Sequence, residues 1–270
     1  MKYISVIVFF GAFLIISFLE KPKSKFDTEL LFQAEIAAKN IPLSFASSNN
    51  QQGVVTYLSD GFSLSEYDMQ EAIRQQTSFQ HHVNQSLIWK DSFGNDATMT
   101  TFGLDQYHHF VNSYLVGIRP FEAENDWLPL YVIAQRKSYQ LDQKQYGFSE
   151  LWQNSAQAFK SLRGDCEDHA IALADWLISE GVDARVAIGK YEGGGHAWVV
   201  AFKNSQAFLL EATSKRVGKS WSHYPLASLA KGYQASYMFN RDTLWKSLEG
   251  YTNEYKSSSW QELSRFSKSI

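Results

Sequence analysis

The amino-acid sequence predicts an α+β fold in which a helix that carries the only cysteine of the chain packs on an antiparallel sheet. In residues 164–181, GDCEDHAIALADWLISEG, apolar residues recur at the spacing of a helix. Three apolar segments with the character of strands follow: ARVAIGKY, HAWVVAFK and QAFLLEAT. A chain of 270 residues that is 44% hydrophobic and 15% aromatic can bury the core that such a fold needs.

Composition excludes two classes of site. The net charge is −3, so no basic excess marks a nucleic-acid partner, and we expect none. A single cysteine excludes both an intramolecular disulfide and a zinc site built on paired cysteines.

Residues 1–25 are predicted to form an N-terminal signal anchor with a basic flank. Residues 3–19 are an uncharged apolar run of 17 residues. That length is at the short limit of about 17–25 residues for a spanning helix, and it exceeds the core of about 7–15 in a signal peptide. No small-residue cleavage site follows the run. A cleaved signal peptide and a buried helix are the alternatives.

The predicted orientation of this anchor, with the domain exported, disagrees with the pattern of charges around the apolar run. Lys21, Lys23 and Lys25 follow the run and only Lys2 precedes it, which the positive-inside rule would keep in the cytoplasm. An N-terminal apolar segment that leads into a large soluble domain is nevertheless typical of export. We therefore expect a membrane-anchored protein on the extracytoplasmic, periplasmic face.

The rest of the chain is predicted to form three parts. Residues 26–125 are expected to be a mainly helical region of unknown role, 126–245 the core that contains the cysteine-bearing helix, and 246–270 an amphipathic C-terminal tail. Within these parts helices are expected over 28–40, 63–83, 104–118 and 127–140, and loops over 47–53 and 91–103.

The cysteine is predicted to lie in the first turn of the core helix. Asp165 is a good N-cap residue and Gly181 a good C-terminal stop, so Cys166 begins the helix. The unpaired N–H groups and partial positive charge of a helix N-terminus favour a thiolate over a thiol. Three carboxylates beside Cys166 oppose this effect, and Asp165 is expected to turn its charge toward the backbone as a cap.

The two strands after the helix supply the other groups of a thiol site. A hairpin centred between Lys203 and Asn204 would place His196 directly opposite Glu211. His196 would then lie between Cys166 and an orienting carboxylate, which is the nucleophile–base–orienter arrangement of thiol acyl transfer. A slip of one residue would turn Glu211 to the other face of the sheet. Each residue alone has a structural explanation, and the order of all three favours a site.

These residues resemble the transglutaminase-like superfamily of cysteine enzymes. The resemblance rests on GDCED, on GGGHAWVV and on FLLEAT, and covers about residues 127–215. The upstream stretch YGFSELWQNSAQAFKSLRGDCED is similar to bacterial transglutaminase-like cysteine proteinases, which include periplasmic adhesin-cleaving enzymes. The resemblance implies a papain-like, transglutaminase-like core with Cys166 as nucleophile, His196 as base and Glu211 as third member. Glu211 stands where an aspartate is commoner.

The resemblance also bears on cofactors. Some of these proteinases bind calcium through acids beside the cysteine, which correspond here to Asp165, Glu167 and Asp168. Gly195 stands before the histidine, where an acid would help to complete such a site. No cofactor and no metal-binding residue is therefore assigned, and calcium stays open.

The function expected from these features is that of a thiol-dependent hydrolase, a cysteine peptidase or amidase acting on a protein or peptide. The backbone N–H of Cys166 and either Trp152 or Gln153 are expected to hold the oxyanion. The alternatives are an inactive binding or assembly module with the same fold, and a protein-crosslinking acyltransferase. Besides the substrate, the expected partner is the membrane, through the N-terminal segment.

Overall fold

The computed structural model describes residues 5–7, 25–47, 51–75 and 85–269. Its α-helices are α1 (Lys25–Asn40), α2 (Glu66–Arg74), α3 (Leu128–Arg136), α4 (Asp142–Gln145), α5 (Ser155–Lys160) and α6 (Cys166–Ser179). Its strands are β1 (Ser5–Ile7), β2 (Gly53–Tyr57), β3 (Ser63–Ser65), β4 (Ser86–Lys90), β5 (Asp96–Phe102), β6 (His108–Phe110), β7 (Ser138–Tyr139), β8 (Arg163–Gly164), β9 (Asp183–Tyr191), β10 (Gly194–Lys203), β11 (Gln206–Leu210), β12 (Tyr233–Phe239), β13 (Thr243–Ser247) and β14 (Trp260–Lys268).

The larger sheet has eight antiparallel strands in the order β11-β10-β9-β12-β13-β14-β2-β3. A two-residue turn joins β10 to β11 through Asn204 and Ser205, which have φ values of 51° and 61°. Two consecutive positive φ angles make a hairpin turn whose twist matches that of the flanking strands. The predicted α+β class with a large antiparallel sheet is confirmed.

The cysteine-bearing helix α6 packs on one face of this sheet, against β9 and β10. Its buried side chains include Ile171, Ala174 and Leu177, which meet Val186 and Val199 of the sheet in one apolar core. Alternate residues of the same strands point to the opposite face, where they form a second core with side chains of β12, β13 and β14. The helix is therefore held rigidly above the strands that carry His196.

A smaller sheet, in the order β1-β4-β5-β6, corrects two expectations for the N-terminal region. The predicted loop 91–103 contains β5, and the predicted helix 104–118 contains β6 and a 3-10 turn, Val111–Tyr114. The sequence of β5, DATMTTF, looks polar, but all its side chains are buried and the Thr100 hydroxyl accepts a hydrogen bond from Trp89. Residues 26–125 are therefore not mainly helical in the part that the structure describes.

The C-terminal segment is an integral part of the larger sheet. Strand β14 lies between β13 and β2, so the predicted amphipathic tail 246–270 contributes an inner strand rather than an appendage. The division of the chain at residues 125 and 245 stays a prediction, although the sheet joins strands from all three predicted parts.

The predicted signal anchor lies mostly outside the described residues. Of residues 3–19, only Ser5–Ile7 are described, and they pair antiparallel with β4. No helix within the described ranges has the length and apolar character needed to cross a membrane. The anchor stays a prediction.

Candidate active site

Cys166 is the first residue of α6 and is half-buried at the wall of a narrow cavity. The cavity has a volume of ≈ 40 Å³. Its lining includes Tyr139, Glu150 and Trp152 on one side and His196 with Gly195 on the other. The single thiol of the chain therefore faces a solvent-connected space together with the predicted histidine.

His196 lies on β10 and is hydrogen-bonded on both sides. Its Nε2 atom is 2.7 Å from Oε2 of Glu211, and the imidazole also shares a hydrogen bond with Cys166. Burial lowers the pKa of His196, but the bonds to Cys166 and Glu211 outweigh burial and raise the pKa to about 10. The structure thus brings the three predicted residues into one connected group.

The register that predicted this pairing is wrong by two residues. The hairpin pairs Val199 with Leu210, so it is centred between Asn204 and Ser205 rather than one position earlier. Glu211 lies just beyond β11 and is not directly opposite His196. A shift of two residues keeps a side chain on its face, and diagonal neighbours remain within reach of long side chains. The extra methylene of glutamate, compared with aspartate, supplies this reach.

The carboxylate of Glu211 is held at both oxygens. Its Oε1 accepts hydrogen bonds from the Thr213 backbone N–H at 2.9 Å and hydroxyl at 2.6 Å. Its Oε2 accepts a bond from the Tyr233 hydroxyl at 3.1 Å, besides that from His196. Burial raises the pKa of Glu211, and the bonds to His196 and Thr213 outweigh it, so the net pKa lies below its usual range.

Aromatic rings surround the His196 imidazole. Tyr191 and Tyr233 lie with ring centroids 5.7 and 6.0 Å from it, and Trp198 stacks at 6.0 Å. These rings bury the imidazole, whose side chain is 3% exposed, and a low local dielectric strengthens its hydrogen bonds.

Asp165 occupies the N-cap position, but its side chain makes no capping hydrogen bond, which corrects the expected role. Its carboxyl group instead hydrogen-bonds Glu167, and its backbone carbonyl meets Nδ1 of His169 at 2.6 Å. Burial lowers the pKa of His169 to about 3, so this second histidine of the motif stays neutral and structural.

The two expected oxyanion donors differ in how they are engaged. The Gln153 side-chain amide donates a hydrogen bond to Asp168 at 2.5 Å, and Gln153 does not line the cavity. The Trp152 indole N–H donates to Oε1 of Glu150 at 2.6 Å, and both residues line the cavity. Trp152 thus lines the cavity and Gln153 does not, but the side-chain donors of both residues are engaged by carboxylates, so neither is assigned as the second oxyanion donor.

Four buried carboxylates meet beside Cys166. Asp142 joins Asp165, Glu167 and Asp168, with one oxygen of each within 4.8 Å of the others. Asp142, Asp165 and Glu167 each have one carboxylate oxygen that is buried without a hydrogen-bond partner in the described part of the chain. Gly195 provides no acid, and Asp142 from a different segment supplies the fourth carboxylate. A set of hard, unpartnered oxygens fits calcium.

The electrostatics of this cluster, which we call the acid cluster, oppose full ionisation. Burial and the neighbouring charges raise the pKa of Asp142 to about 10 and that of Asp168 to about 8. Lys137 lies behind the cluster, fully buried, and its ammonium group donates to the carbonyl oxygens of Ala158, Ser161 and Arg163. Burial lowers the pKa of Lys137 to about 8, so it is an incomplete counter-charge for four carboxylates.

Gly164 of the GDC motif is required by the same cluster. A Cβ atom on this residue would lie 2.4 Å from Oδ2 of Asp168. A side chain here would therefore displace Asp168 and the start of α6.

Sequence reasoning missed three residues of this site: Asp142, Lys137 and Tyr233. Asp142 and Lys137 lie 20 to 30 residues before the cysteine in a stretch without a motif, and only the fold brings them beside it. Tyr233 begins β12, and its pairing with β9 aligns it with Tyr191. No local pattern in the sequence marks these contacts.

Comparisons with known proteins agree with the predicted relationship. Residues 150–262 match the family model described as the CEP76 peptidase-like domain. The match includes Cys166, His196 and Glu211 and supports a relationship to the transglutaminase-like peptidase fold, as the sequence predicted. Among curated proteins, no sequence matches the chain.

Two solved structures are similar to part of the chain. Legionella pneumophila LapG has 21% sequence identity and a TM-score of 0.36, and the match covers 44% of this chain and 66% of that one. An EGTA-treated form has 18% identity and a TM-score of 0.38, with 47% and 70% covered. The likeness is confined to less than half of this chain, and about a third of LapG has no counterpart in it.

Proposed function

We propose that the chain is a cysteine peptidase or amidase that hydrolyses a protein or peptide substrate through Cys166, His196 and Glu211. The observation that carries this proposal is the position of His196, which hydrogen-bonds both the thiol and a buried carboxylate at the wall of one cavity. Nucleophile, base and orienting acid in this order are the elements of thiol acyl transfer.

In the proposed reaction His196 takes the proton of Cys166, and the thiolate attacks the carbonyl carbon of an amide. The negative charge that develops on the carbonyl oxygen is held by the backbone N–H of Cys166, which has no partner within a helix at this position. His196 returns the proton to the leaving amine as the C–N bond breaks. Water then attacks the thioester, which releases the acid and restores the thiol.

The acid cluster is proposed as a calcium site held by Asp142, Asp165, Glu167 and Asp168. The ion would neutralise carboxylates that otherwise resist ionising together. The contribution of the chain itself is positional, because two of these residues flank Cys166 and a third, Asp168, is bonded to Gln153 beside Trp152.

We further propose that the domain acts outside the cytoplasm, tethered by residues 3–19. An apolar run at the N-terminus followed by the charged segment EKPKSK motivates this proposal. An alkaline phosphatase fusion after residue 30 should be active, because that reporter requires export. A silent fusion, with a cytoplasmic reporter active at the same position, would place the enzyme inside the cell.

The activity is tested by incubating the protein with a peptide library and identifying cleavage products by mass spectrometry. Cys166→Ala and His196→Ala should abolish cleavage, whereas Glu211→Gln should retain part of the activity. Help from a general base is typically ~10²–10⁴-fold. A His196→Ala variant within a factor of about two of the wild type would refute the assignment. Amine-dependent product masses would favour the crosslinking alternative.

A further inference from the structure

A second, larger cavity adjoins the catalytic group on the side of Glu211. It has a volume of ≈ 390 Å³, compared with ≈ 40 Å³ for the cavity at Cys166. Its wall includes Glu211 together with Tyr191 and Tyr233, two of the rings that surround His196. His196 therefore lines the first cavity, and its hydrogen-bond partner Glu211 lines the second.

The position of the leaving amine in the proposed reaction determines which part of a substrate lies near this cavity. His196 delivers its proton to the leaving amine, so the segment after the scissile bond must begin beside the imidazole. From Cys166 to Glu211 there are the hydrogen bond between the thiol and His196, the width of one imidazole ring, and the 2.7 Å bond from His196 to Glu211. An extended peptide advances about 3.3–3.6 Å per residue, so it covers this span in two to three residues.

The chemistry of the cavity favours an apolar side chain. Leu130, Leu209 and Val217 line it beside the tyrosine rings, and the basic residues Arg216 and His223 also lie on its wall. The Glu211 carboxylate at its edge is already engaged by His196, Thr213 and Tyr233, so it offers little to a cationic group. A cavity of this volume falls in the range of about 300–1,000 Å³ typical of sites that enclose a ligand.

We propose that this cavity binds an aliphatic or aromatic side chain of the substrate, at the second or third residue after the scissile bond. The inference rests on the proposed function and adds a substrate class to it: polypeptides that carry a bulky apolar residue shortly after the bond that is cut. The narrow cavity at Cys166 contributes little to the selection of substrate side chains. Side-chain specificity is determined on the leaving-group side of the scissile bond.

The test compares cleavage profiles of a proteome-derived peptide library for the wild type and for Ala230→Trp. Ala230 lines the cavity and takes no part in catalysis, so the indole should fill the space. The wild type should favour Leu, Ile, Phe or Tyr at the second or third residue after the bond by about tenfold, the discrimination that an apolar pocket gives. In Ala230→Trp this preference should disappear, while preferences before the bond stay unchanged.

Leu229→Trp is the matched control, because Leu229 is the exposed neighbour of Ala230 and does not line the cavity. If circular dichroism shows that Ala230→Trp is unfolded, Val217→Trp fills the cavity from another side. Cleavage without apolar preference at these positions, or an unchanged profile in a folded cavity-filling variant, overturns the inference but not the peptidase activity. An absence of any cleavage that depends on Cys166 overturns both.

Discussion

At the scale of single residues, the length of the Glu211 side chain explains how it reaches His196. The two residues are not directly opposite each other in the pairing of β10 with β11. His196 and Glu211 are diagonal rather than opposed, and the longer acid closes the gap to 2.7 Å. A flexible glutamate loses more side-chain entropy than an aspartate when it is fixed. Thr213 and Tyr233 offset this cost, because they hold both oxygens in the orientation that His196 needs.

Tyr233→Phe removes one hydrogen bond to the same oxygen that accepts the bond from His196. A hydrogen bond to a charged group contributes about 1.5–3 kcal/mol, so we expect kcat/KM to fall roughly tenfold or more, chiefly in kcat. Steady-state kinetics on a cleaved peptide measure it. Tyr237→Phe is the control, because its hydroxyl bonds Asp96 rather than Glu211. Equal kinetic losses in both variants would assign Tyr233 a structural role only.

At the scale of elements, the start of α6 combines catalysis with a concentration of buried acid. The helix N-terminus stabilises negative charge, yet four carboxylates there exceed what Lys137 and the helix dipole balance. Either protons or a cation must make up the difference. The raised pKa values of Asp142 and Asp168 indicate protons in the absence of an ion.

Calcium should therefore stabilise the domain at neutral pH. An ion at about 100 times its Kd contributes about 2.7 kcal/mol, which corresponds to a rise in Tm of roughly 5–10 °C for a domain of this size. Asp142→Asn should weaken the effect, and the exposed Asp183→Asn should not. A calorimetric titration without heat, together with an unchanged Tm, would leave the cluster with a purely structural role.

A second buried charge group ties α2 to β6. His109 hydrogen-bonds Glu66 at 2.6 Å and Asp105 at 2.9 Å, one acid on each ring nitrogen. Burial lowers the pKa of His109, but the bonds and charges of Asp105 and Glu66 outweigh it and raise the pKa to about 9. The imidazole thereby joins a carboxylate of α2 and a carboxylate of the turn before β6.

The sign of this shift sets a pH window for stability. Because the pKa of His109 is higher in the folded than in the unfolded state, its contribution is full below about pH 6.5 and is lost as the pH rises through about 9. Urea unfolding gives the free energy of unfolding at about pH 6.5 and about pH 9.5. Between these two pH values the wild type should lose on the order of 2 kcal/mol more than His109→Gln does. Parallel losses in the two proteins would contradict this account.

The elements that the sequence predicted well are those in which apolar residues recur at the regular spacing of a helix or a strand. Helix α6 and strands β9 to β11 follow from apolar spacing, and the order of Cys166, His196 and Glu211 follows from them. Strand β5 was missed because its threonines, buried in the structure, have the composition of a loop. The hairpin register was missed by two residues because the turn at Asn204 and Ser205 depends on backbone angles that composition does not mark.

At the scale of the whole molecule, the larger sheet joins segments that are distant in the chain. Strand β14 inserts between β13 and β2, so the C-terminal residues complete the sheet that supports the site. The sequence predicted an amphipathic tail here, and in the structure Trp260, Leu263 and Phe266 are buried in three different apolar clusters, with only Leu263 in the core that contains α6. Long-range pairing of this kind has no signal within the segment itself.

Leu263→Ala tests this integration. Leu263 of β14 is buried in the same core as α6, so its truncation should cost about 2–5 kcal/mol. Gln261→Ala, on an exposed position of the same strand, should change stability by less than about 0.5 kcal/mol. Denaturant unfolding gives both values. A neutral Leu263→Ala would mean that the segment is an appendage after all.

The central claim is that His196 activates Cys166, and the rate of thiol alkylation by iodoacetamide measures it most directly. The chain has one cysteine, so intact-mass spectrometry reads only this site. At about pH 6 the wild type should react at least tenfold faster than His196→Ala, with Glu211→Gln between them, because a base typically contributes ~10²–10⁴-fold. Wild type and His196→Ala reacting at the same rate, in folded proteins, would contradict the account.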